Sequence, residues 1–339
     1  MEYGAIDLHL RRCQIRIVTA EGQVVCDRQV PTTAEALTAF FGPRAPMPVL
    51  LEAGTESEWV AQVVEACGHE AIVADPNYTL MYGARQRIKT DRRDAAALAE
   101  ACRRGIYRRA HRVSAEQRRT RRDLRIREQL VRVRTQTINL LRAQLRQEGY
   151  RLGRGGSEGV VTRYRRLTLS EPLRTAVAPL IELLTHLHEA LKTADTQVKT
   201  RAAADPIARR LMTAPGIGPV TALTFRATVD SVTRFDSAGN ASAFVGLVPS
   251  EDSSAERRRR GPITKRGPTA LRSLLIQAAW STWRQRSASG ALYAWVERLA
   301  ARRGKQVAVV ALARRLTRIL YAMWRDETDY RPGGVAAPA

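Results

Sequence analysis

The sequence predicts a protein of the α/β plus α class. Over the first hundred residues, short apolar runs with the two-residue period of a strand alternate with helix-like segments. After about Ser114 the strand signals stop, and long segments with a seven-residue apolar spacing follow. Apolar residues make up 44% of the 339 residues, which is enough for a globular protein with a buried core. We therefore expect a sheet packed against helices, followed by a helical part.

The first part contains five predicted strands and three predicted helices. Three short strands, EYGAIDLHL, QIRIVTA and QVVCDRQV, are separated by hairpin-sized turns and predict an antiparallel meander. A helix (TAEALTAFF), a strand (PVLLEAG), a helix (SEWVAQVVEACG) and a strand (EAIVADP) follow in that order. The last helix, TDRRDAAALAEACRRG, begins after a polar cap and ends at Gly105. We assign this domain to residues 1–112.

The second part is predicted to be helical. Its two long segments carry apolar residues every seven positions, and a glycine-rich stretch at 153–157 separates them. The repeating positions are Leu124, Val131, Ile138 and Leu145 in the first segment, and Val177, Leu184, Leu191 and Val198 in the second. Sustained heptads predict a coiled-coil seam, either between these two helices or between subunits, with an ordinary helical bundle as the alternative. We assign residues 113–204 to this coiled-coil region.

A third domain, at residues 205–328, is expected to be mainly helical, with a flexible tail at 329–339. Its opening, LMTAPGIGPVTALTFRAT, places Gly216 and Gly218 between two helical segments, as in a helix-hairpin-helix element. Backbone amides at such a turn can bind a phosphate, and a plain tight turn would have the same pattern. The segment SEDSSAERRRRG is predicted to be a loop, and further helical stretches follow it.

Composition and charge narrow the classes of partner. Lys and Arg number 56 against 33 Asp and Glu, which gives a net charge of +23. A surface this positive predicts a polyanionic partner, most simply nucleic acid. The four cysteines have neither zinc-finger spacing nor the pattern of a disulfide framework. The sequence shows no apolar run typical of a signal peptide or a membrane span, so we expect a cytoplasmic, nucleoid-associated protein without a membrane partner.

Four acidic residues lie at positions that suggest chemistry. Asp7 lies inside the first strand, Glu52 ends the fourth, and Asp91 and Asp94 are three positions apart on one face of a helix. An acid in a core strand is costly unless it is paired, and hard divalent cations such as Mg²⁺ take carboxylate oxygens. Taken singly, each acid also has a structural explanation, such as a helix cap at Asp91. Together they predict a metal site that works on a phosphodiester.

Several motifs carry a family resemblance. IDLH, LEAGTES and KTDRRDA resemble the motifs of the DEDD transposases of the IS110 insertion-sequence family, and APGIGPVTA, FVGLVPSEDSS and ITKRGPTALR resemble the same family. The resemblance spans nearly the whole chain. It implies an RNase H-like, RuvC-type fold for the first domain, with Asp7, Glu52, Asp91 and Asp94 as the metal-binding set. It also implies Mg²⁺ or Mn²⁺ as cofactor and DNA and a guide noncoding RNA as partners. The heptad spacing predicts a helical contact between subunits, and so a homo-oligomer, either a dimer or a tetramer.

The resemblance implies a second catalytic site as well. In the family a serine that follows a GLxP turn attacks DNA and becomes covalently linked to it. Here the turn is Gly246–Pro249, and the serine that corresponds to the family nucleophile is Ser254, with Ser253 as the alternative. Ala255 stands where the family usually has glycine. Two serines in a polar segment are otherwise typical of a solvated loop. The residues expected to contact nucleic acid are Gly216, Gly218, Arg257, Arg258, Arg259, Arg260, Lys265, Arg266 and Arg272.

The predicted function is that of a DNA transposase or recombinase that cuts and rejoins strands. A RuvC-like junction nuclease would need the four acids but no serine. A nucleic-acid-binding protein without catalysis, or an RNA-binding scaffold, would need neither site. These alternatives differ in whether branched DNA is linked to the protein, cut without linkage, or only bound.

Overall fold

The chain forms two compact units, Met1–Val113 and a second that begins at Ser114. The structure is a computed structural model and describes residues 1–78, 90–253 and 258–332. The first unit is a mixed sheet with helices and the second is mostly helical, which confirms the predicted α/β plus α class. The predicted division of the second unit between residues 204 and 205 stays a prediction.

A five-stranded sheet forms the centre of the first unit. Its strand order is β3-β2-β1-β4-β5; β1, β2 and β3 pair antiparallel, and β4 runs parallel to both β1 and β5. The elements are β1 Glu2–Asp7, β2 Arg12–Thr19, β3 Val24–Pro31, α1 Ala34–Phe41, β4 Pro48–Glu52, α2 Ser57–Ala66, β5 Glu70–Ala74 and α3 Asp91–Arg104. This is the predicted order of strands and helices.

Helices cover both faces of the central strands, which explains the apolar character of β1 and β4. Successive side chains of a strand point to opposite faces. Ile6, Val49 and Leu51 pack with α1 and α2 on one face. Ala5 and Leu50 pack with α3 on the other face. Alternation therefore assigns each residue of β1 and β4 to one of the two faces.

The second unit contains nine helices of four or more residues and one hairpin within its described residues. The elements are α4 Ala115–Gln147, α5 Val160–Arg165, α6 Glu171–Ala204, α7 Pro206–Met212, α8 Pro219–Val229, α9 Ala238–Phe244, β6 Pro249–Ser253, β7 Arg258–Ile263, α10 Thr269–Arg284, α11 Arg286–Arg303 and α12 Lys305–Arg325. Strands β6 and β7 pair antiparallel, so the loop predicted for this segment is wrong at the paired residues. Backbone hydrogen bonds form this hairpin from a polar sequence that lacks an apolar strand pattern.

Several heptad positions are buried within the chain, whereas Leu124 and Val131 are only partly buried. Helices α4 and α6 pack against each other, and Ile138, Leu145, Val177 and Leu184 belong to one apolar cluster between them. These four residues therefore pack within the chain, and the predicted coiled-coil geometry stays a prediction. Other large apolar side chains of these helices are exposed, namely Ile126, Leu140 and Leu183.

A larger apolar core lies among helices α7 to α12, and Leu124 of α4 and Val198 of α6 also pack there. The Tyr321 ring is buried in this core, and its hydroxyl donates a hydrogen bond to the carbonyl oxygen of Phe235. Among the described residues, no helix is both long enough and apolar enough to cross a membrane.

Candidate active site

Asp7 and Glu52 lie at the same end of two neighbouring parallel strands. Ile6 of β1 pairs with Leu51 of β4, and the two acids are the next residue of each strand. Because Ile6 and Leu51 face helices α1 and α2, alternation turns Asp7 and Glu52 toward the opposite face, where α3 packs. The sequence pattern thus puts both carboxylates on the α3 side of the sheet.

The first turn of α3 brings the other two acids to this end of the sheet. Thr90 caps the helix, and its hydroxyl oxygen accepts a hydrogen bond from the amide of Arg93. Asp91 and Asp94 both lie in the first turn, where the positive end of the helix dipole favours acidic side chains. The helix is fixed to the sheet by buried residues of its apolar face, among them Leu98 and Cys102.

His9 connects two of the predicted ligands. Its Nε2 atom lies 3.2 Å from Oδ2 of Asp7 and 3.3 Å from Oδ1 of Asp91. One ligand atom from each of these three residues lies within 4.8 Å of the others, and within the described part of the chain this is the one such cluster of His, Cys, Asp or Glu. Sequence reasoning did not single out His9, although it is the last residue of the IDLH motif.

The pKa of Asp7 is raised above its ordinary value. The main cause is desolvation, because the side chain is only 15% exposed at the end of the buried strand. The neighbouring charges of Asp94 and Asp91 raise it further, and His9 opposes the shift by hydrogen bonding and by its charge. Asp94 is thus close enough to Asp7 for their charges to interact.

Asp27 connects the sheet to the start of α3. Its carboxylate is 6% exposed on β3, and its Oδ2 atom lies 2.9 Å from Nη1 of Arg16 on β2 and 2.7 Å from Nε of Arg92 on α3. Arg92 lies between Asp91 and Asp94 in sequence, so this ion pair orients the turn that carries both acids. Sequence reasoning missed this pair as well, since its partners are 65 residues apart.

The donor set suits a divalent cation. Carboxylate oxygens are the preferred ligands of hard ions such as Mg²⁺ and Mn²⁺, and an imidazole nitrogen is a frequent ligand of transition metals. The carboxylates of Asp7 and Asp91 both lie close to Nε2 of His9, and the charges of Asp91 and Asp94 repel that of Asp7. A cation at this end of the sheet would relieve that repulsion. The residues present therefore fit a divalent metal ion.

The predicted serine lies outside the described residues, and so does Arg257. Strand β6 ends at Ser253 and β7 begins at Arg258, and the backbones of these two residues pair. Lys265 and Arg266 follow β7 and are exposed, as phosphate-binding residues need to be. The contacts of Arg257, Arg258, Arg259 and Arg260 with nucleic acid stay predictions.

Arg272 has an internal role in the structure. Its side chain is buried, and Nη1 donates hydrogen bonds to the carbonyl oxygens of Val245 (3.0 Å) and Arg266 (3.3 Å). It therefore holds the turn that begins at Val245 and the segment that presents Lys265 and Arg266. Its predicted contact with nucleic acid stays a prediction.

The Pro215–Gly218 turn connects α7 to α8, as the helix-hairpin-helix pattern predicted. Gly216 has a φ of +76° and packs closely against α10, where the Oγ1 atom of Thr282 lies 2.7 Å from the carbonyl oxygen of Pro215. Gly218 is the N-cap of α8, with an ordinary φ of −96° and open space around it. Only Gly218 is exposed at this turn among the two glycines predicted to bind phosphate.

Family models for transposases match parts of both units. A family model for transposases, that of the IS110 DEDD group, matches residues 5–149. A second, described as the transposase IS116/IS110/IS902 family, matches residues 208–294. The first match contains all four predicted acids and the second contains the Gly216–Gly218 turn, Ser254 and the basic residues that follow it. Both matches place this chain in the transposase class of nucleic-acid-processing enzymes.

Individual relatives cover most of the chain. A Pseudomonas aeruginosa protein described as "Probable family 20 transposase" is 32% identical over 97% of this chain and 98% of its own. The transposase for insertion sequence element IS1111A of Coxiella burnetii is 32% identical over 72% of this chain and 69% of its own. The transposase for insertion sequence element IS1328 of Yersinia enterocolitica is 29% identical over 87% and 88%. The chain belongs to the IS110 family of DEDD transposases, which implies DNA as a partner and the use of a divalent metal ion.

Proposed function

We propose that this protein is an insertion-sequence transposase that cleaves and rejoins DNA strands with a carboxylate metal site and a serine nucleophile. The observation that carries the proposal is the convergence of Asp7, Asp91 and Asp94 at one end of the sheet, with His9 between two of them. The strand order β3-β2-β1-β4-β5 supports an RNase H-like fold of the RuvC type for the first unit. The net charge of +23 supports a polyanionic substrate.

In this proposal the four acids Asp7, Glu52, Asp91 and Asp94 hold Mg²⁺, with Mn²⁺ as a substitute. The bound metal would supply Lewis-acid stabilisation of charge on the attacking and leaving oxygens of a phosphodiester. Thr90 and Asp27 act through other residues: Thr90 caps the turn that carries Asp91 and Asp94, and Asp27 holds Arg92 within that turn. His9 holds the oxygens of Asp7 and Asp91 near each other.

Ser254 is the proposed nucleophile. Its Oγ atom forms a bond to phosphorus as the bond between phosphorus and one deoxyribose oxygen breaks; the hydroxyl proton is lost and the leaving oxygen takes up a proton. One phosphodiester bond replaces another, so rejoining needs no ATP. The exposed Lys265 and Arg266 would contact the phosphates near Ser254, and Arg272 would position that segment.

We also propose a homo-oligomer, either a dimer or a tetramer, and a guide noncoding RNA as second partner, with the protein located at the nucleoid. Exposed Ile126, Leu140 and Leu183 on the two long helices support self-association, because large exposed apolar side chains are frequent at subunit contacts. The net charge of +23 is compatible with both DNA and RNA.

The test is incubation of the full-length protein with labelled branched DNA carrying the element ends and Mg²⁺. A covalent protein–DNA adduct mapped to Ser254, absent in Ser254→Ala and formed in Ser253→Ala, is the expected result. Free cleaved ends without an adduct would identify a RuvC-like nuclease instead. Binding without cleavage would identify a nucleic-acid-binding protein, and a nucleotide mapped to Ser253 or to a tyrosine would refute the assigned serine.

A further inference from the structure

A cavity of about 550 Å³ opens between helices α10, α11 and the start of α12. This volume is typical of sites that take a small molecule or a single nucleotide. Aromatic, basic and acidic side chains line it, among them Trp280, Trp283, Tyr293, Arg286, Glu297 and Lys305. All of them belong to the second unit, and none is among the catalytic residues proposed above.

Aromatic rings form one wall of this cavity. Trp280 and Trp283 lie three positions apart on α10, and their rings are nearly parallel, with an interplanar angle of 9° and centroids 5.4 Å apart. Tyr293 lies on α11. Trp280 and Tyr293 are only half-buried, so parts of their rings face the cavity. An open aromatic wall is the kind of surface on which a planar heterocycle stacks.

Glu297 fixes the geometry of this wall. The indole Nε1 of Trp283 donates a hydrogen bond of 2.7 Å to Oε1 of Glu297. This hydrogen bond, with another from Tyr293 and the charges of Arg286 and Lys305, holds the pKa of Glu297 below its usual value. The carboxylate therefore stays charged at neutral pH while it is bonded to two of the aromatic residues.

Positive charge surrounds the mouth of the cavity. Arg284, Arg286 and Lys305 are exposed, and the guanidinium of Arg286 lies 5.4 Å from the centroid of the Tyr293 ring. Three cations against the single carboxylate of Glu297 leave the cavity positive. Arginine and lysine at the edge of an aromatic surface are suited to a phosphate group attached to a stacked base.

We propose that this cavity binds one unpaired nucleotide of a nucleic-acid strand, with its base stacked on Trp280 and Tyr293 and its phosphate at Arg284, Arg286 and Lys305. The inference rests on the proposed action on nucleic acid and adds a site to it. A duplex presents only the edges of its bases in its grooves, whereas stacking needs a base face that is free. DNA and RNA strands share this chemistry, and the experiment separates them.

The experiment is photocrosslinking of the full-length chain to short oligothymidylate and oligouridylate that carry 5-iodouracil, followed by peptide mapping. The Asp7→Asn protein without divalent metal is used, so that the result does not depend on strand cleavage. We expect crosslinks in the peptides that contain Trp280 and Tyr293. A preference for the DNA or the RNA oligonucleotide identifies the strand that the site takes. Crosslinks confined to other parts of the chain would overturn the proposal.

Trp280→Leu should lower the crosslinking yield by about 5- to 160-fold, because stacking of one base on an aromatic ring contributes that factor to affinity. Trp295→Leu is the matched control: Trp295 is half-buried against the same core and lies beneath Arg315, but does not line the cavity. Trp280→Phe keeps an aromatic ring and should retain the crosslink. Equal yields from Trp280→Leu and Trp295→Leu would refute the site.

The cationic edge is tested separately, in case Trp280→Leu unfolds. Arg284→Gln is an exposed change that leaves the aromatic wall intact and should reduce the yield several-fold, whereas Arg298→Gln, exposed on α11 outside the cavity, should not. Duplex DNA should compete poorly for the site. Competition by duplex as effective as that by single strands would mean that the cavity does not select unpaired bases. If the crosslinks form but Ser254 makes no adduct, the site stands and the proposed reaction fails.

Discussion

Gly216→Ala tests the turn between α7 and α8 most sharply. A Cβ atom on Gly216 would lie 2.4 Å from Oγ1 of Thr282, 2.6 Å from the carbonyl oxygen of Ala278 and 2.9 Å from the amide nitrogen of Thr282. Two of these atoms belong to the backbone of α10, which cannot move aside as a flexible side chain can. The φ of +76° is also unfavourable for alanine.

The expected cost follows from these two terms. A left-handed backbone conformation costs about 1–2 kcal/mol for a residue with a Cβ, and overpacking in a closely packed region adds about 1–3 kcal/mol. The second unit should therefore lose about 2–5 kcal/mol of unfolding free energy. At about 2–4 °C per kcal/mol for a unit of this size, its Tm should fall by about 4–20 °C.

Gly218→Ala is the matched control. Gly218 is two positions away, with a φ of −96° and no atom within 4 Å of the position that a Cβ would take. Alanine is a poorer N-cap than glycine, which lowers stability, but it also reduces the entropy of the unfolded chain, which raises stability. The free energy of unfolding should therefore change by less than about 1 kcal/mol. Tryptophan fluorescence during urea unfolding suits the measurement, because four of the five tryptophans lie in the second unit. Equal stability of the two variants would refute the reasoning.

Three further predictions concern the metal site, the long helices and the cavity. Asp7→Asn should reduce DNA cleavage to background while leaving Tm unchanged or higher, since it removes a buried charge whose pKa burial already raises; full cleavage in a gel assay would contradict it. Leu184→Ala should lower the free energy of unfolding by about 2–5 kcal/mol, because Leu184 is fully buried. Leu183→Ala, at a 42% exposed position, should lower it by less than about 1 kcal/mol and should weaken self-association measured by sedimentation. The Trp283 hydrogen bond lowers the pKa of Glu297 below its ordinary value of 4.5. The charged Glu297 therefore stabilises the fold above pH 4.5, and this stabilisation is lost as the pH falls through the lowered pKa. Glu297→Gln should lose less stability than the wild type on acidification, as measured by thermal melts at a series of pH values.

The order of strands and helices in the first unit could be predicted largely because helices cover its central strands on both faces. Burial on both faces gives β4 and β5 short apolar runs, and polar caps such as Thr90 mark where helices start. The β6–β7 hairpin gave no such signal. Its strands, PSEDS and RRRGPI, are mostly polar, and the ladder between them is made by backbone groups that every sequence has.

The heptads predicted a buried stripe on each long helix but not what covers it. Val177 and Leu184 show the same spacing whether the covering helix is in the same chain or in another. The structure covers them with α4 of the same chain. The exposed Leu183 beside Leu184 has no place in the heptad, so the surface available for self-association could be found only after the fold was known.

Much of the candidate metal site could be inferred from the sequence, because strand ends and the first turn of a helix are recognisable from local patterns. Its supporting contacts could not. His9 follows Asp7 by two residues, and a single histidine after a strand is too common to indicate a role. The pairing of Asp27 with Arg92 joins residues 65 positions apart, which periodicity cannot relate.

The placement of two acids in the arginine-rich start of α3 follows from these contacts. Within the segment DRRD, Arg92 turns to Asp27 on the sheet, whereas Asp91 approaches His9 and Asp94 interacts with Asp7. The carboxylates repel one another and burial raises the pKa of Asp7, so the isolated fold gains nothing from their proximity. The Asp27–Arg92 pair and the apolar face of α3 hold them together against this repulsion. A divalent cation, whose use the family implies, would relieve this repulsion if it were bound between these carboxylates.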